Sequence, residues 1–425
     1  MVVVTSDERK DEASRPVNIW RSGLTIGLCA LAVLIDGYEM GVLSVAIPKL
    51  AKHFQLAPQV YATAASASVA GMAIGAMLLA QLADRFGRRM ALFFFQVLIG
   101  VAMLGAAHSI TPFELATWRF FSGLGIGAIL PVAIAATADA APPRRRGIIV
   151  TTVVSFSALG SFLSGFLAAP ITDLWDWPGL FLVGAMAPIA SGIAALLLLP
   201  VSEHITRRKG AASETGIHSS PFRSPDVRKL IFFLSAILWI NLLVNHSISS
   251  WLPTILTMSG RDYAEAAQIS GLKSIGGILG GLAIGIVSDR GRLFLGLIFA
   301  YLISGLVLII APFAISASFY YWAILVIMLG FGSYGSAIAV GSLCATFFAQ
   351  SIRASATGLI SGFGRTGAIV GPFLLATFMN QQMPAHLLLS TLVVPIMLCA
   401  TLVLILGRMI AGGKIISANE MIIRK

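Results

Sequence analysis

Stretches of about 20 apolar residues recur roughly 12 times along this chain, separated by short polar breaks, and that recurrence decides most of what the chain can fold into. Hydrocarbon offers backbone N–H and C=O groups no water, so each stretch must satisfy its own hydrogen bonds as a helix. A closed barrel would need strands of about 10 residues alternating apolar and polar, a pattern these stretches do not follow. The spans read as 24–50, 60–83, 90–109, 113–139, 147–170, 178–200, 229–257, 265–288, 293–313, 319–348, 354–378 and 385–411. Composition agrees: 57% of the 425 residues are hydrophobic and only 11% charged, against about 25% charged in soluble domains. The expected fold class is an all-α membrane protein with twelve transmembrane helices.

A net charge of +11 would suggest nucleic acid in a soluble protein, but its distribution points elsewhere. With the termini inside, 23 of the 29 Lys and Arg lie on the cytoplasmic side, Lys49, Lys52 and Arg261 lie outside, and Arg119, Lys273 and Arg365 fall within spans. The basic excess is therefore a topology signal, with both termini cytoplasmic and no nucleic-acid role. The N-terminal residues 1–23 form a hydrophilic tail without the order of a signal peptide, so the first span is expected to direct insertion. Cys29, Cys344 and Cys399 all sit within spans, which gives neither a disulfide framework nor metal-ligand spacing.

The longest polar interruption, 201–228, is rich in Ser, Pro and basic residues and has six spans on each side. It reads as a cytoplasmic linker between a first half, 24–200, and a second, 229–411, with a cytoplasmic tail at 412–425. An internal repeat supports the division. DRFGRR at 84–89 is echoed 205 residues later by DRGR at 289–292, and Arg146 of PPRRRG is echoed by Arg353 of SIRASATG with an offset of 207. Paired six-helix halves with a site between them are a secondary-transporter architecture.

The first span, IGLCALAVLIDGYEMGVLSVAIPKL at 26–50, carries Asp36 and Glu39 near its middle. A charge at a helix centre costs about 2.5–3.5 kcal/mol on insertion scales, so these carboxylates must face protein, a water-filled cavity, or bind protons. At i and i+3 they share a helix face, and both are candidate proton carriers. In the fourth span Arg119 begins R-x-x-x-G-x-G-x-G with Gly123, Gly125 and Gly127. The glycines suit close helix packing; the arginine should find an acid, bind an anion, snorkel outward or pair with Glu114. In the second half, Lys273 within SGLKSIGGILGG is the least expected charge, either a substrate-binding cation or a partner for Asp36 or Glu39. His246, with Asn241 and Asn245 of the seventh span, can hydrogen-bond a ring hydroxyl or relay protons, or else is a satisfied packing histidine. Tyr38, Trp251 and Phe363, with Phe331, Tyr334 and Phe347, are candidate walls for a flat ring. Arg365 either binds an anion or latches the cytoplasmic mouth.

The segment GAMLLAQLADRFGRRMAL at 75–92 resembles the G-x-L-a-D-r-x-G-r-k loop between the second and third helices of the major facilitator superfamily. That resemblance implies the major facilitator fold and a cytoplasmic gate in which Asp84 caps a neighbouring helix while Arg85, Arg88 and Arg89 exchange salt bridges. Asp139, Arg146, Asp289 and Arg353 are candidates for the same gate. The fourth-span motif is similar to one whose arginine the superfamily associates with proton coupling. A narrower resemblance, to the aromatic acid:proton symporter family, rests on DGYE at 36–39, DAAPPRRRG at 139–147, SSWLPTILTMSG at 249–260 and GRTGAIVGP at 364–372. Glu39 stands where that family's D-G-x-D signature has a second Asp, and Val132 where Asn is frequent. The fifth span lacks the G-x-x-x-G-P-x-x-G-G pattern of many drug–proton antiporters of the superfamily.

These observations predict a monomeric, proton-coupled carrier in the bacterial cytoplasmic membrane. The resemblance supplies the substrate class, a benzoate- or hydroxybenzoate-like carboxylate moving inward. The proton is the coupling ion, and no other cofactor or metal is expected. An exporter of organic anions or drugs by proton antiport would use the same fold in reverse. An enzyme is not expected, because the sequence offers no nucleophile–base spacing, metal-ligand cluster or phosphate loop.

Overall fold

The computed structural model describes residues 19–79, 86–199, 225–314, 317–348 and 350–412. Asp84, Arg85, most of the linker and both tails lie outside the described residues. Twelve long helices account for nearly everything described: α1 Ile19–Phe54, α2 Ala62–Ile74, α3 Arg88–Ala107, α4 Pro112–Ala140, α5 Arg146–Phe166, α6 Ala168–Leu198, α7 Pro225–Met258, α8 Tyr263–Asp289, α9 Leu293–Ile310, α10 Phe319–Phe347, α11 Gln350–Asn380 and α12 Val393–Ala411. A π-helical turn, Gly75–Leu79, extends α2, and the short turns Ala385–Leu388 and Leu389–Leu392 lead into α12. With α2 taken together with its flanking turns as Pro58–Leu79, twelve segments are long and apolar enough to cross a membrane, which makes this a multi-pass membrane protein.

Local chemistry explains the boundaries. Thr111 caps α4 by accepting from the Glu114 N–H at 3.1 Å, while the Glu114 carboxylate reaches back to accept from the Ile110 N–H at 3.1 Å. Asp262 caps α8 through the Ala264 N–H. The two echoed basic loops turn at Gly87 (φ 85°) and Gly291 (φ 72°), a left-handed conformation that favours residues without a Cβ. The first helix runs past its expected span of 24–50 at both ends, and the largest difference lies between the fifth and sixth spans. The fifth span ends at Phe166, short of 170, and α6 begins at once at Ala168, then bends at Asp176 (φ 52°) ahead of Pro178. The short polar stretch with Thr172, Asp173 and Asp176 is thus held within one helical segment that bends before Pro178.

Each main helix pairing recurs six helices later. α2 packs on α4 and α8 on α10; α1 on α5 and α7 on α11; α3 on α6 and α9 on α12. The first six helices thus repeat in the arrangement of the last six. Glycines set the closest approaches, as expected where van der Waals packing drives association in lipid. A Cβ at Gly123 or Gly127 of α4 would run into the Ser68 or Met72 carbonyl of α2, and one at Gly276 or Gly280 of α8 into the Ile327 or Phe331 carbonyl of α10.

The two helix sets meet along α5 against α8, α2 against α11 and α1 against α7. Polar ties cross these seams toward the far side, the face at which α1 ends. Tyr263 donates to the Val45 carbonyl at 3.1 Å, with the Lys49 ammonium 4.8 Å from its ring centroid. Ser66 donates to the Ile369 carbonyl at 2.7 Å. Ser274 donates to the Ser161 hydroxyl at 3.0 Å. A cavity lies at this junction.

The glycine contacts make a direct stability prediction. Gly127→Ala must displace backbone and should cost about 1–3 kcal/mol, seen as a lower apparent unfolding temperature in detergent. Gly147→Ala, with nothing within 4 Å, should leave that temperature unchanged or slightly raised; equal losses in the two variants would remove the contact explanation.

Candidate functional site

Arg119 of α4 is buried, with 1% of its surface exposed, and so is Glu39 of α1, with none. A guanidinium in such a place needs an anion and further acceptors, and it finds them. It donates to the Glu39 Oε2 at 3.2 Å, the Glu39 carbonyl at 2.9 Å, the Ser68 hydroxyl at 3.1 Å and the Met103 sulfur at 3.3 Å. Arg119 therefore neither snorkels nor pairs with Glu114, whose carboxylate accepts from the Ile110 N–H ahead of α4. Gly184 of α6 makes room for the longer acid: a Cβ there would stand 2.6 Å from the Glu39 Oε1.

Asp36 takes a different direction. Residues three apart on a helix differ by about 60° around its axis, enough to send Glu39 toward α4 while Asp36 lines the central cavity. This cavity, about 240 Å³ in volume, is lined from both helix sets by Asp36, Arg119, Asn245, His246, Lys273 and Tyr334, together with serines and aliphatic side chains. Asp36 is 6% exposed, and its Oδ1 has no hydrogen-bond partner among the described residues. Lys273 of α8 makes no ion pair among them either. Its ammonium donates to the Asn245 carbonyl at 3.1 Å, the Asn245 Oδ1 at 2.5 Å and the Ser249 hydroxyl, and lies 5.9 Å from the Tyr334 ring centroid. Neutral acceptors satisfy its protons but leave its charge uncompensated. The cavity thus holds an acid from the first six helices and a cation from the last six, joined by no ion pair.

The remaining expected site residues divide. Asn245 and His246 line the cavity. Tyr38 is buried with its hydroxyl donated to the Leu180 carbonyl of α6 at 3.0 Å, and Trp251 is buried with its indole N–H donated to the Pro372 carbonyl of α11 at 2.8 Å; both hold helices together outside the cavity lining. Phe363, half exposed on α11, also lies outside that lining. Asn241 donates to Tyr301 and Ser336 in a buried node. Of the expected gate, Arg88 and Asp139 form an ion pair between α3 and α4. Arg146 is exposed at the start of α5, Asp289 is exposed at the end of α8, and Arg89 and Arg365 are half-buried. Arg353 lies on α11 with its side chain outside the described residues. Sequence reasoning missed the serines. Ser157, Ser161 and Ser164 on α5, and Ser270 and Ser274 on α8, line the cavity, and their helical spacing within apolar spans was the available signal.

A charged, partly polar cavity between two repeated sets of six membrane helices defines a secondary transporter rather than an enzyme or a channel. The sequence profile of the Major Facilitator Superfamily matches residues 29–372, and the chain belongs to that superfamily. Similar proteins include a 4-hydroxybenzoate transporter of Pseudomonas aeruginosa, 28% identical over 91% of this chain and 92% of its own length. A gallate transporter of Pseudomonas putida is 28% identical over 93% of each chain. The 3-(3-hydroxy-phenyl)propionate transporter of Escherichia coli is 29% identical over 83% of this chain and 85% of its own. Among solved structures, a bacterial homologue of the human lysosomal transporter Spinster, inward-facing and occupied, superposes with a TM-score of 0.74 at 14% identity, covering 93% of this chain and 98% of the other. The fold is the major facilitator fold.

The buried ion pair carries its own test. Glu39→Gln leaves Arg119 charged and should cost about 3–5 kcal/mol, read as a large fall in unfolding temperature. Glu39→Gln combined with Arg119→Met should recover part of it. Additive losses in the double variant would show that the two side chains do not depend on each other.

Proposed function

We propose that this protein imports an aromatic carboxylate of the benzoate or hydroxybenzoate kind together with at least one proton, by alternating access. The single observation that carries the reading is the presence of Asp36 and Lys273 in one cavity, each from a different helix set and neither in an ion pair among the described residues. The transported carboxylate binds at Lys273, with Asn245 and His246 beside it, and its ring meets Tyr334 and the aliphatic wall. A proton on Asp36 removes the one negative charge competing for that ammonium, so proton and anion favour each other's binding, a coupling of free energies. With both bound, Asp36 is uncharged and the Lys273 ammonium has an anion beside it, which lowers the cost of closing the cavity away from water.

In this reading the halves 24–200 and 229–411 rock about the cavity, joined by the linker 201–228, and the working unit is one chain. The Glu39–Arg119 pair holds α1 to α4 and keeps Asp36 facing the cavity. The gate residues of the basic loops, with Arg88 and Asp139 among them, act on the cytoplasmic side; the concentration of Lys and Arg in those loops favours cytoplasmic termini in a bacterial inner membrane. The names of the similar transporters, all acting on aromatic acids, support the substrate class.

The test is accumulation of labelled benzoate and hydroxybenzoates in proteoliposomes under an inward proton gradient, with protein-free liposomes correcting for leakage of neutral acid. Wild-type protein should accumulate substrate and lose it when a protonophore is added. Asp36→Asn should abolish gradient-driven accumulation, and Lys273→Met should weaken binding of the acid at least tenfold. Normal gradient-driven uptake by well-folded Asp36→Asn would exclude Asp36 as the proton carrier. Active protein that accumulates no aromatic acid would exclude the substrate class, and accumulation only under an outward gradient would favour export.

A further inference from the structure

The ring of Tyr334 on α10, one wall of the cavity, lies in a slot on α8. A Cβ at Gly277 would run into the Tyr334 Cδ1 and stand 2.8 Å from its Cγ and 3.0 Å from its Cβ. Gly277 is one turn beyond Lys273 on the same helix face, and the Lys273 ammonium lies 5.9 Å from the centroid of that ring. The slot thus seats the ring beside the cation, outside the space a guest would use.

Any side chain at 277 must either move the ring or part the two helices. Parting them is the costlier response. A Cβ at Gly276 or Gly280 would run into the Ile327 or Phe331 carbonyl, and one at Gly330 into the Lys273 carbonyl, so a gap opened at 277 loosens backbone contact along the whole seam. On its other side α10 is seated on α9, where a Cβ at Gly332 would run into the Ala300 carbonyl. The ring turns about two side-chain bonds and borders the cavity, so it gives way first and into that space.

We propose that Gly277 is a specificity-determining position: it holds the Tyr334 ring back from the cavity and thereby sets how bulky an aromatic carboxylate fits beside Lys273. This rests on the aromatic-carboxylate reading above and adds to it the residue that limits guest size. Gly277 itself does not line the cavity; it acts through the tyrosine.

The experiment titrates full-length protein in lipid nanodiscs with benzoate, 3-ethylbenzoate and 4-ethylbenzoate near neutral pH, where all three are anions. The quantity read is the affinity for benzoate relative to each ethyl acid. In Gly277→Ala that ratio should rise at least about tenfold for one or both ethyl acids. In Tyr334→Ala it should fall about 3- to 10-fold, since the wall is gone. The double variant should match Tyr334→Ala, because the added methyl then meets no ring. Loss of a merely structural residue would weaken all three acids alike and could not move the ratio in opposite directions. If Gly277→Ala alone fails to elute as monodisperse protein, recovery in the double variant shows that the ring is what the methyl strikes; failure of both overturns the proposal. Uniform weakening in folded Gly277→Ala, or an unchanged ratio in Tyr334→Ala, also overturns it and leaves aromatic-carboxylate binding in place. If wild-type protein binds none of the acids, the aromatic-carboxylate reading falls, and the size limit with it.

Discussion

Arg119 cannot be left alone in hydrocarbon, and the first six helices are arranged so that it is not. Its guanidinium draws on Glu39 and a main-chain carbonyl of α1, Ser68 of α2 and Met103 of α3, which fixes four helices relative to one another at mid-depth. The α2–α4 packing that carries the arginine to this point requires glycine at 123 and 127, and the space for the carboxylate requires glycine at 184. Small residues and a buried charge are thus one device: the first lets backbones approach, and the second penalises any other approach.

That arrangement divides the labour between two acids three residues apart. Glu39 is enclosed and paired, while Asp36 faces the cavity and is not. Lys273 is the counterpart from the second helix set, held by neutral oxygens that orient an ammonium without cancelling its charge. A carrier needs a site whose charge can be completed by its passengers, and a cavity with one unpaired acid and one unpaired cation has that property. Had Lys273 been bound to either acid, as the sequence left open, its ammonium would already have an anionic partner in the empty cavity.

The fold was legible because bilayer thickness leaves few solutions for an apolar run, and the basic loops with their glycines marked the repeat that the helix pairings display. The cavity charges were legible for the same reason, since Asp36, Arg119 and Lys273 stand out against their spans. Their partners were not. The i, i+3 spacing of Asp36 and Glu39 puts them on one face but does not resolve the roughly 60° that separates a cavity wall from a helix seam. Tyr38 and Trp251 looked like ring-binding residues because composition does not tell an aromatic facing a cavity from one donating to a neighbouring helix's carbonyl. Serines were overlooked because a hydroxyl is common in membrane helices and usually bonds its own turn; only the convergence of α5 and α8 gives these a shared surface.

Two of the three far-side ties share a feature: Tyr263 and Ser66 both donate to main-chain carbonyls, of Val45 and Ile369. A bond of this kind specifies the residue on one side of the seam only, since every amino acid presents the same carbonyl on the other. Val45 and Ile369 are therefore free, as far as the tie is concerned, to change in the course of descent or design, provided their helices keep their course. At these two ties the contact is inherited through one donor position each, and there the two faces of the seam need not evolve in step; only the Ser161–Ser274 tie asks for a hydroxyl on both.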